Sequence, residues 1–200
     1  MIVALVQLDI ETLSLHRTNA VVGAVGVDVA VLDNEQVLAP DLAVRETHYW
    51  RLDVEEQLRD GREMDWDTVS WWLRQSDAAR QEMAAADKRY PLAVFADEIR
   101  GVFDRVNDVT DVQFYLASAP EFDFGNVQAI MEAAGHSLPV KHYQIHNQRT
   151  IRQLLGAEKR TAPVAHRADT DAQAQNDEIL TLAVSATPAA GLLYRWLFRE

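Results

Sequence analysis

The 200-residue sequence contains no cysteine. Disulfide bonds and thiolate metal sites are therefore excluded, and the composition fits a reducing cytoplasm. Long apolar runs are also missing, because the longest apolar stretches are too short or too interrupted to span a bilayer. No basic region followed by a signal-peptide core comes after Met1. These absences predict a soluble cytoplasmic protein without a membrane partner.

Basic residues are scarce: 19 Lys and Arg stand against 31 Asp and Glu, for a formal net charge of −12. This balance argues against a protein that coats nucleic acid, since phosphate binding draws on a basic surface. It does not exclude an enzyme that binds a few nucleotides through metal ions. An acidic surface that maintains solubility explains most of the excess of acidic residues.

Repeats and long Gly, Ser or Pro tracts are absent too, and a hydrophobic content of 48% suits a single domain over residues 1–200.

The order of apolar segments predicts an α/β fold with a mixed sheet. Gly23 and Gly26 interrupt the second predicted strand, which indicates a bulge or a close backbone approach there. The stretch 48–67 is polar and is expected to be rich in loops. Strands are predicted at 2–9, 20–32, 36–42 (after a turn at 33–35) and 112–117. Helices are predicted at 68–86, 92–106, 124–134, within 145–155 and at 169–186, with a final apolar piece at 192–198.

Two acidic residues, Asp9 and Glu11, end the first apolar run. Alternate side chains of a strand point to the same face, so both carboxylates are expected to project together. Adjacent carboxylates repel each other, and a divalent cation is the usual remedy. The pair therefore predicts half of a metal site, although an Asp-x-Glu pair at a strand end is more often solvated turn chemistry.

Three later residues have matching positions. Asp123 stands beyond a predicted strand where a helix opens, and Asp171 lies in the first turn of the last long helix, so both helix dipoles favour an ionised carboxylate. His166 precedes Asp171 by five residues and follows Pro163, which places it on the loop leading into that helix. Taken singly, each acid could be a helix cap and the His-Asp spacing has little meaning; the argument depends on their combination and order.

Such a set of residues accounts for phosphoryl transfer. Four carboxylates can hold two Mg²⁺ or Mn²⁺ ions about 4 Å apart, an arrangement that activates a water and stabilises the leaving oxygen. A histidine with a near-neutral pKa is suited to take the proton of the water.

Three segments resemble the motifs of the DEDDh 3′–5′ exonucleases of the ribonuclease H-like fold. They are LDIET at 8–12, APEFDFGNVQAIMEAAG at 119–135 and HRADTDAQAQ at 166–175. DTVSWWLRQSDAAR at 67–80 and QRT at 148–150 further resemble the phage DexA-type exonucleases and related bacterial exoribonucleases. The resemblance covers roughly residues 2–182. One departure is that relatives often carry an Asp shortly before the Arg-Thr pair, where this chain has Asn147 and Gln148.

The resemblance implies a ribonuclease H-like mixed sheet of five to six strands, flanked by helices. It implies a metal-dependent 3′–5′ exonuclease acting on single-stranded DNA or RNA 3′ ends, with DNA slightly favoured and a homodimer as a possible assembly. His166 is then the general base, while Thr12 lies near the sugar and Leu13 near the base of the terminal nucleotide. The residues implied to bind two Mg²⁺ or Mn²⁺ ions are Asp9, Glu11, Asp123 and Asp171.

Two alternatives remain open from the sequence. One is a non-catalytic, polymerase-associated binding module of the same fold. The other is a zinc hydrolase, because His142 and His146 would share one face of a helix and His136 could add a third ligand. Trp72 is expected in the core, whereas Trp71 could stack on a base. The candidate phosphate contacts are Arg74, Arg80, Arg149 and Arg152.

Overall fold

One six-stranded sheet organises the protein in a computed structural model that describes residues 1–33, 44–85, 88–156, 159–162 and 166–183. The strands are β1 (Ile2–Thr12), β2 (Val22–Asp33), β3 (Val44–Leu52), β4 (Arg89–Tyr90), β5 (Val112–Ala117) and β6 (Ile145–Asn147). Their order across the sheet is β4-β3-β2-β1-β5-β6. β1 pairs antiparallel with β2 but parallel with β5, and β5 pairs parallel with β6. This confirms the predicted mixed α/β sheet.

Helices cover both faces of the sheet. They are α1 (Val54–Arg59), α2 (Trp66–Leu73), α3 (Asp77–Ala84), α4 (Leu92–Val109), α5 (Pro120–Ala133), α6 (Gln148–Leu155) and α7 (Ala168–Ala183). On one face, α4 and α5 bury Phe95, Phe103 and Ile130 against β1 and β2. On the other face, α7 packs Ile179 and Leu180 against alternate residues of β1, β2 and β5. Because both faces of β1 are covered, its sequence is apolar almost throughout.

The predicted loop-rich stretch 48–67 is wrong, since it contains the end of β3 and all of α1. The sequence of β3 does not show a clear alternation of apolar and polar residues. Tyr49 and Arg51, on the polar face of this strand, bind Glu82 of α3 instead of water. The predicted helix 68–86 is divided into α2 and α3. The division occurs where the Ser76 side chain accepts from the Ala79 backbone N–H and so begins a new helix.

Other boundaries follow from local chemistry. α5 begins earlier than predicted, with Pro120 in its first turn, where a missing N–H costs nothing. Gly156 ends α6 in the left-handed conformation, as expected. Three predicted segments lie outside the described residues. They are the strand 36–42, the turn at 33–35 beyond its first residue, and the apolar piece 192–198. None of the helices in the described part of the chain has the length and apolar character needed to cross a membrane.

Candidate active site at the carboxyl end of the sheet

A cavity of about 600 Å³ opens at the carboxyl ends of the parallel strands β1 and β5. In an open α/β sheet this end is where crossing connections diverge and leave a crevice. Asp9 and Glu11 reach it from β1, Asp123 from the first turn of α5 and Asp171 from the first turn of α7. His166 lines the same cavity. The structure therefore brings together the four acids and the histidine singled out from the sequence.

Asp123 is fixed by the start of its own helix. Its Oδ2 accepts a hydrogen bond from the Ala119 backbone N–H at 2.9 Å, and only 6% of the residue is exposed. Burial raises the pKa of Asp123 to about 7, although the Ala119 bond and the charge of Arg149 act in the opposite direction. A carboxyl held in this way is costly to ionise unless a cation is nearby.

Asp9 is oriented by an amide network. Gln175 of α7 donates from Nε2 to Asp9 Oδ1 at 2.9 Å, while its Oε1 accepts from Gln7 Nε2 at 2.8 Å and from Ser118 Oγ at 2.9 Å. Because the Gln175 oxygen already has two donors, its amide is directed with the nitrogen toward Asp9. Three segments distant in sequence thus fix one carboxylate.

The acids repel one another. Burial raises the pKa of Asp9 well above its usual value, and the charge of Asp123 raises it further. Burial likewise raises the pKa of Glu11, with Asp9 as the next cause. Burial raises the pKa of Asp171 too, although the neighbouring His166 lowers it. Clustered hard oxygen ligands of this kind fit divalent cations such as Mg²⁺ and Mn²⁺.

His166 lies on the turn before α7, as the sequence predicts, and its backbone N–H donates to Asp171 Oδ2 at 3.0 Å. Its imidazole makes T-shaped contacts with two tryptophan rings, Trp71 at 4.9 Å and Trp72 at 5.7 Å between centroids. Trp72 is core, as predicted: it is 5% exposed and donates from Nε1 to the Thr12 carbonyl at 2.8 Å. Ligand atoms of Glu11, His166 and Asp171 all lie within 4.8 Å of one another.

Gly26 explains how α7 reaches this position. It pairs with Asp9 across β1 and β2, and a Cβ at Gly26 would lie 2.1–2.3 Å from backbone atoms of Ala168 and Asp169. The close backbone approach expected at this glycine is therefore confirmed. Because no side chain intervenes, the first turn of α7 rests directly on the sheet beside Asp9.

A second cavity, of about 410 Å³, shares Ile10 and Glu11 with the first and is more apolar. Thr12 and the 39% exposed Trp71 line it, as does Leu15, which is 75% exposed. Leu13 is not among the described residues that line either cavity. Leu15 was missed from the sequence because an exposed leucine after a strand carries no distinguishing pattern.

Positive charge collects at the rims of the two cavities despite the acidic composition. Arg74 lines the apolar cavity, whereas Arg80 binds Asp77 and the carbonyls of Leu73 and Gln75. Among the described residues, the cations that line the acidic cavity are Arg149, Arg152, Lys159 and Arg160. Sequence reasoning found the first two of these; Lys159 and Arg160 lie on a segment where periodicity offers no signal.

The helical pair of histidines on which the zinc-hydrolase alternative depends is not formed. His142 lies in a short 3₁₀ helix and His146 on β6, so the two imidazoles do not share a helix face. His136 instead lies 3.1 Å from an Asp97 carboxylate oxygen. Among the described residues, the three that offer ligand atoms close enough together for one ion are Glu11, His166 and Asp171, and the three histidines of the zinc alternative do not belong to that group. The zinc-hydrolase alternative therefore loses its structural basis.

Comparison with known proteins identifies a family for this chain. A family model described as the 3′–5′ exoribonuclease Rv2179c-like domain matches residues 5–182. No curated protein sequence gives a significant match. The finer resemblance to the phage DexA-type enzymes stays a prediction.

Among solved structures, E. coli exonuclease I with single-stranded DNA and zinc superposes with a TM-score of 0.62 at 14% identity, covering 98% of this chain and 43% of that one. Exonuclease I with a dA16 oligonucleotide gives 0.61 at 13% identity, covering 98% and 43%. A product-bound exonuclease I gives 0.60 at 14%, covering 98% and 46%. The chain thus spans less than half the length of these proteins. The shared fold confirms the predicted ribonuclease H-like class.

Proposed function

Because the chain belongs to the family of Rv2179c-like 3′–5′ exoribonuclease domains, we propose that it is a metal-dependent exonuclease that removes nucleotides from single-stranded 3′ ends. One observation carries this proposal: a single cavity is lined by residues from β1, α5 and the start of α7, namely Asp9, Glu11, Asp123, Asp171 and His166. A non-catalytic binding module would have no need to hold four mutually repelling acids together.

The donor set suits two Mg²⁺ or Mn²⁺ ions, which Asp9, Glu11, Asp123 and Asp171 would hold. When bound, two such ions supply an activated water and stabilise the leaving oxygen of an in-line displacement. The protein contributes the orientation of the ligands. Gln175 holds Asp9, the Ala119 backbone N–H holds Asp123, and the His166 backbone N–H holds Asp171.

His166 is suited to take the proton of the attacking water. Ligand atoms of its imidazole, Glu11 and Asp171 lie within 4.8 Å of one another, so the ring lies beside the place where an activated water would be held. The T-shaped contacts with Trp71 and Trp72 limit the rotation of the ring. General-base catalysis of this kind contributes about 10²–10⁴-fold to a rate.

The apolar cavity beside Glu11 is suited to the terminal nucleoside. Thr12 Oγ1 donates its hydrogen to the Ser14 carbonyl at 2.8 Å, so toward a ligand it can act only as an acceptor, for example from a sugar hydroxyl. Trp71 and Leu15 offer apolar surface to the base, with stacking on an aromatic ring worth about 1–3 kcal/mol. Contact with the base is assigned to these two residues in place of Leu13.

Degradation of matched single-stranded DNA and RNA oligonucleotides tests the proposal. With a 5′ label and Mg²⁺ or Mn²⁺, we expect a ladder that shortens from the 3′ end, and none with a chelator. The family description names RNA, whereas the structural neighbours hold DNA. Faster degradation of the DNA oligonucleotide than of the RNA oligonucleotide would support the predicted slight preference for DNA. Internal cuts or 5′ shortening would contradict the proposal, and binding without cleavage of either strand would favour the non-catalytic module.

Replacing Arg149 with glutamine is expected to raise KM about fivefold, or about 1 kcal/mol, with a smaller effect on kcat. The Arg149 charge acts on both Asp9 and Asp123 from the rim of the cavity, where an incoming phosphate would lie. The slope of log KM against log salt should fall by about 0.7, the value for one lost phosphate contact on a single strand. The matched control is Arg59→Gln, an exposed arginine at the end of α1. An equal effect of both variants would refute a local contact.

A further inference from the structure

The turn that carries His166 has an unfavourable backbone conformation. Its φ is +61°, and among the described non-glycine residues only Lys88 shares a positive value. The left-handed region costs an L-residue about 1–2 kcal/mol, so surrounding contacts must hold the turn. The bond from its backbone N–H to Asp171 is one such contact. The next residue, Arg167, supplies several others.

The Arg167 guanidinium is held on three sides. It donates to Asp169 in a bidentate pair, from Nε to Oδ1 at 2.8 Å and from Nη2 to Oδ2 at 3.1 Å. Its Cζ lies 4.7 Å from the centroid of the Tyr49 ring, a cation–π distance. Nη1 lies 3.9 Å from Glu82 Oε2. A planar, always charged guanidinium can satisfy all three partners at once, which a lysine cannot.

The partners of Arg167 are themselves fixed to the sheet. Glu82 Oε1 accepts from Tyr49 Oη at 2.6 Å and from Arg51 Nη2 at 2.6 Å. Tyr49 pairs in register with Gly26, which in turn pairs with Asp9. Tyr49 and Glu82 also line a small cavity together with Glu11 and His166. This cluster of Tyr49, Glu82 and Arg167 thus lies directly behind the catalytic groups.

We propose that Arg167 is a positioning residue, which holds the His166 turn so that the imidazole faces the acidic cavity. Arg167 is not among the described residues lining that cavity, so it acts through His166 and not on the substrate. The inference rests on the proposed general-base role of His166. It adds to that role a set of contacts by which Tyr49 of β3 and Glu82 of α3 hold the turn of the general base.

A double-mutant cycle tests this inference. We expect Arg167→Met to lower kcat about tenfold, or about 1.4 kcal/mol, with KM little changed. In a His166→Ala background the same change should leave kcat unaltered, because the group that Arg167 positions is gone. Arg167→Lys should restore only part of the loss, since it keeps the charge but loses the bidentate pair.

A purely structural role would lower kcat by the same factor in both backgrounds, and that additivity would overturn the inference while leaving the proposed function intact. Full activity of His166→Ala would instead overturn the general-base role and the inference with it. Should Arg167→Met not fold, Tyr49→Phe serves in its place, because it keeps the ring that stacks on Arg167 and removes the hydroxyl that binds Glu82. Tyr49→Phe should lower kcat in the wild-type background and leave it unaltered in His166→Ala; equal losses in both would again overturn the inference.

Discussion

Asp9→Asn is expected to lower kcat by about 10³-fold, on the scale of losing one oriented electrostatic group at a reacting centre. The replacement is nearly isosteric, and the asparagine oxygen can still accept from Gln175 Nε2, now 2.9 Å from Asp9 Oδ1. The charge is lost while the amide network remains. Because Asp9 lies at the carboxyl end of β1 among the other acids, its loss removes a proposed metal ligand without disturbing the fold.

The same variant should be more stable than the wild type without metal. Burial, followed by the charge of Asp123, raises the pKa of Asp9, and burial raises that of Asp123 to about 7. A carboxyl with a raised folded-state pKa contributes stability below its unfolded pKa near 4, and that stability is lost as pH rises through the folded value. The metal-free wild type should therefore lose stability as pH rises from about 4 to above about 7, and Asp9→Asn should lose less.

Thermal unfolding with a chelator and with Mg²⁺ measures this effect. The Tm advantage of Asp9→Asn should grow with pH in the chelator and shrink or reverse in Mg²⁺, since a ligand that binds the folded state stabilises the protein that binds it better. Asp108→Asn, at an exposed position on α4, is the control and should match the wild type. Near wild-type cleavage by Asp9→Asn, or a pH-independent Tm difference, would contradict the site described above.

Gly26→Ala is expected to cost about 1–3 kcal/mol of stability through overpacking, and to lower kcat about 10²-fold, the scale of a 1 Å misplacement. The new methyl group would lie within 2.3 Å of the backbone of Ala168 and Asp169. A backbone cannot rotate aside as a side chain can, so the start of α7 has to move away from the sheet. His166 and Asp171 would move with it, away from Asp9 and Glu11.

Gly23→Ala is a matched control on the same strand. There the added methyl group would meet Met83 Sδ at 2.5 Å, the flexible end of a side chain that adapts readily. We expect this variant to keep its activity, whereas Gly26→Ala loses it, in parallel assays of kcat and Tm. Equal activity of the two variants would show that the position of α7 is not what Gly26 protects.

The sequence alone determined the proposed catalytic groups and the type of element that carries each. Asp9 and Glu11 were found because a strand alternates its side chains, and Asp123 and Asp171 because acids favour helix starts. Gly26 was recognised as a close approach, but its partner, the start of α7, was not. Local signals of this kind reach only a few residues along the chain, and they identified the sheet class and the turn that carries His166.

Tertiary structure decided everything that depends on contacts between distant segments. The polar residues of β3, such as Tyr49, led to the prediction of a loop. In the fold, Tyr49 contacts Glu82 and Arg167, which lie 33 and 118 residues further along the chain. Leu15, Lys159 and Arg160 gained their places at the cavities only when β1, α2 and α7 came together. Polar groups that bind water in the unfolded chain bind other side chains in the folded protein. The local sequence pattern contains no signal for these partners, because they lie far away along the chain.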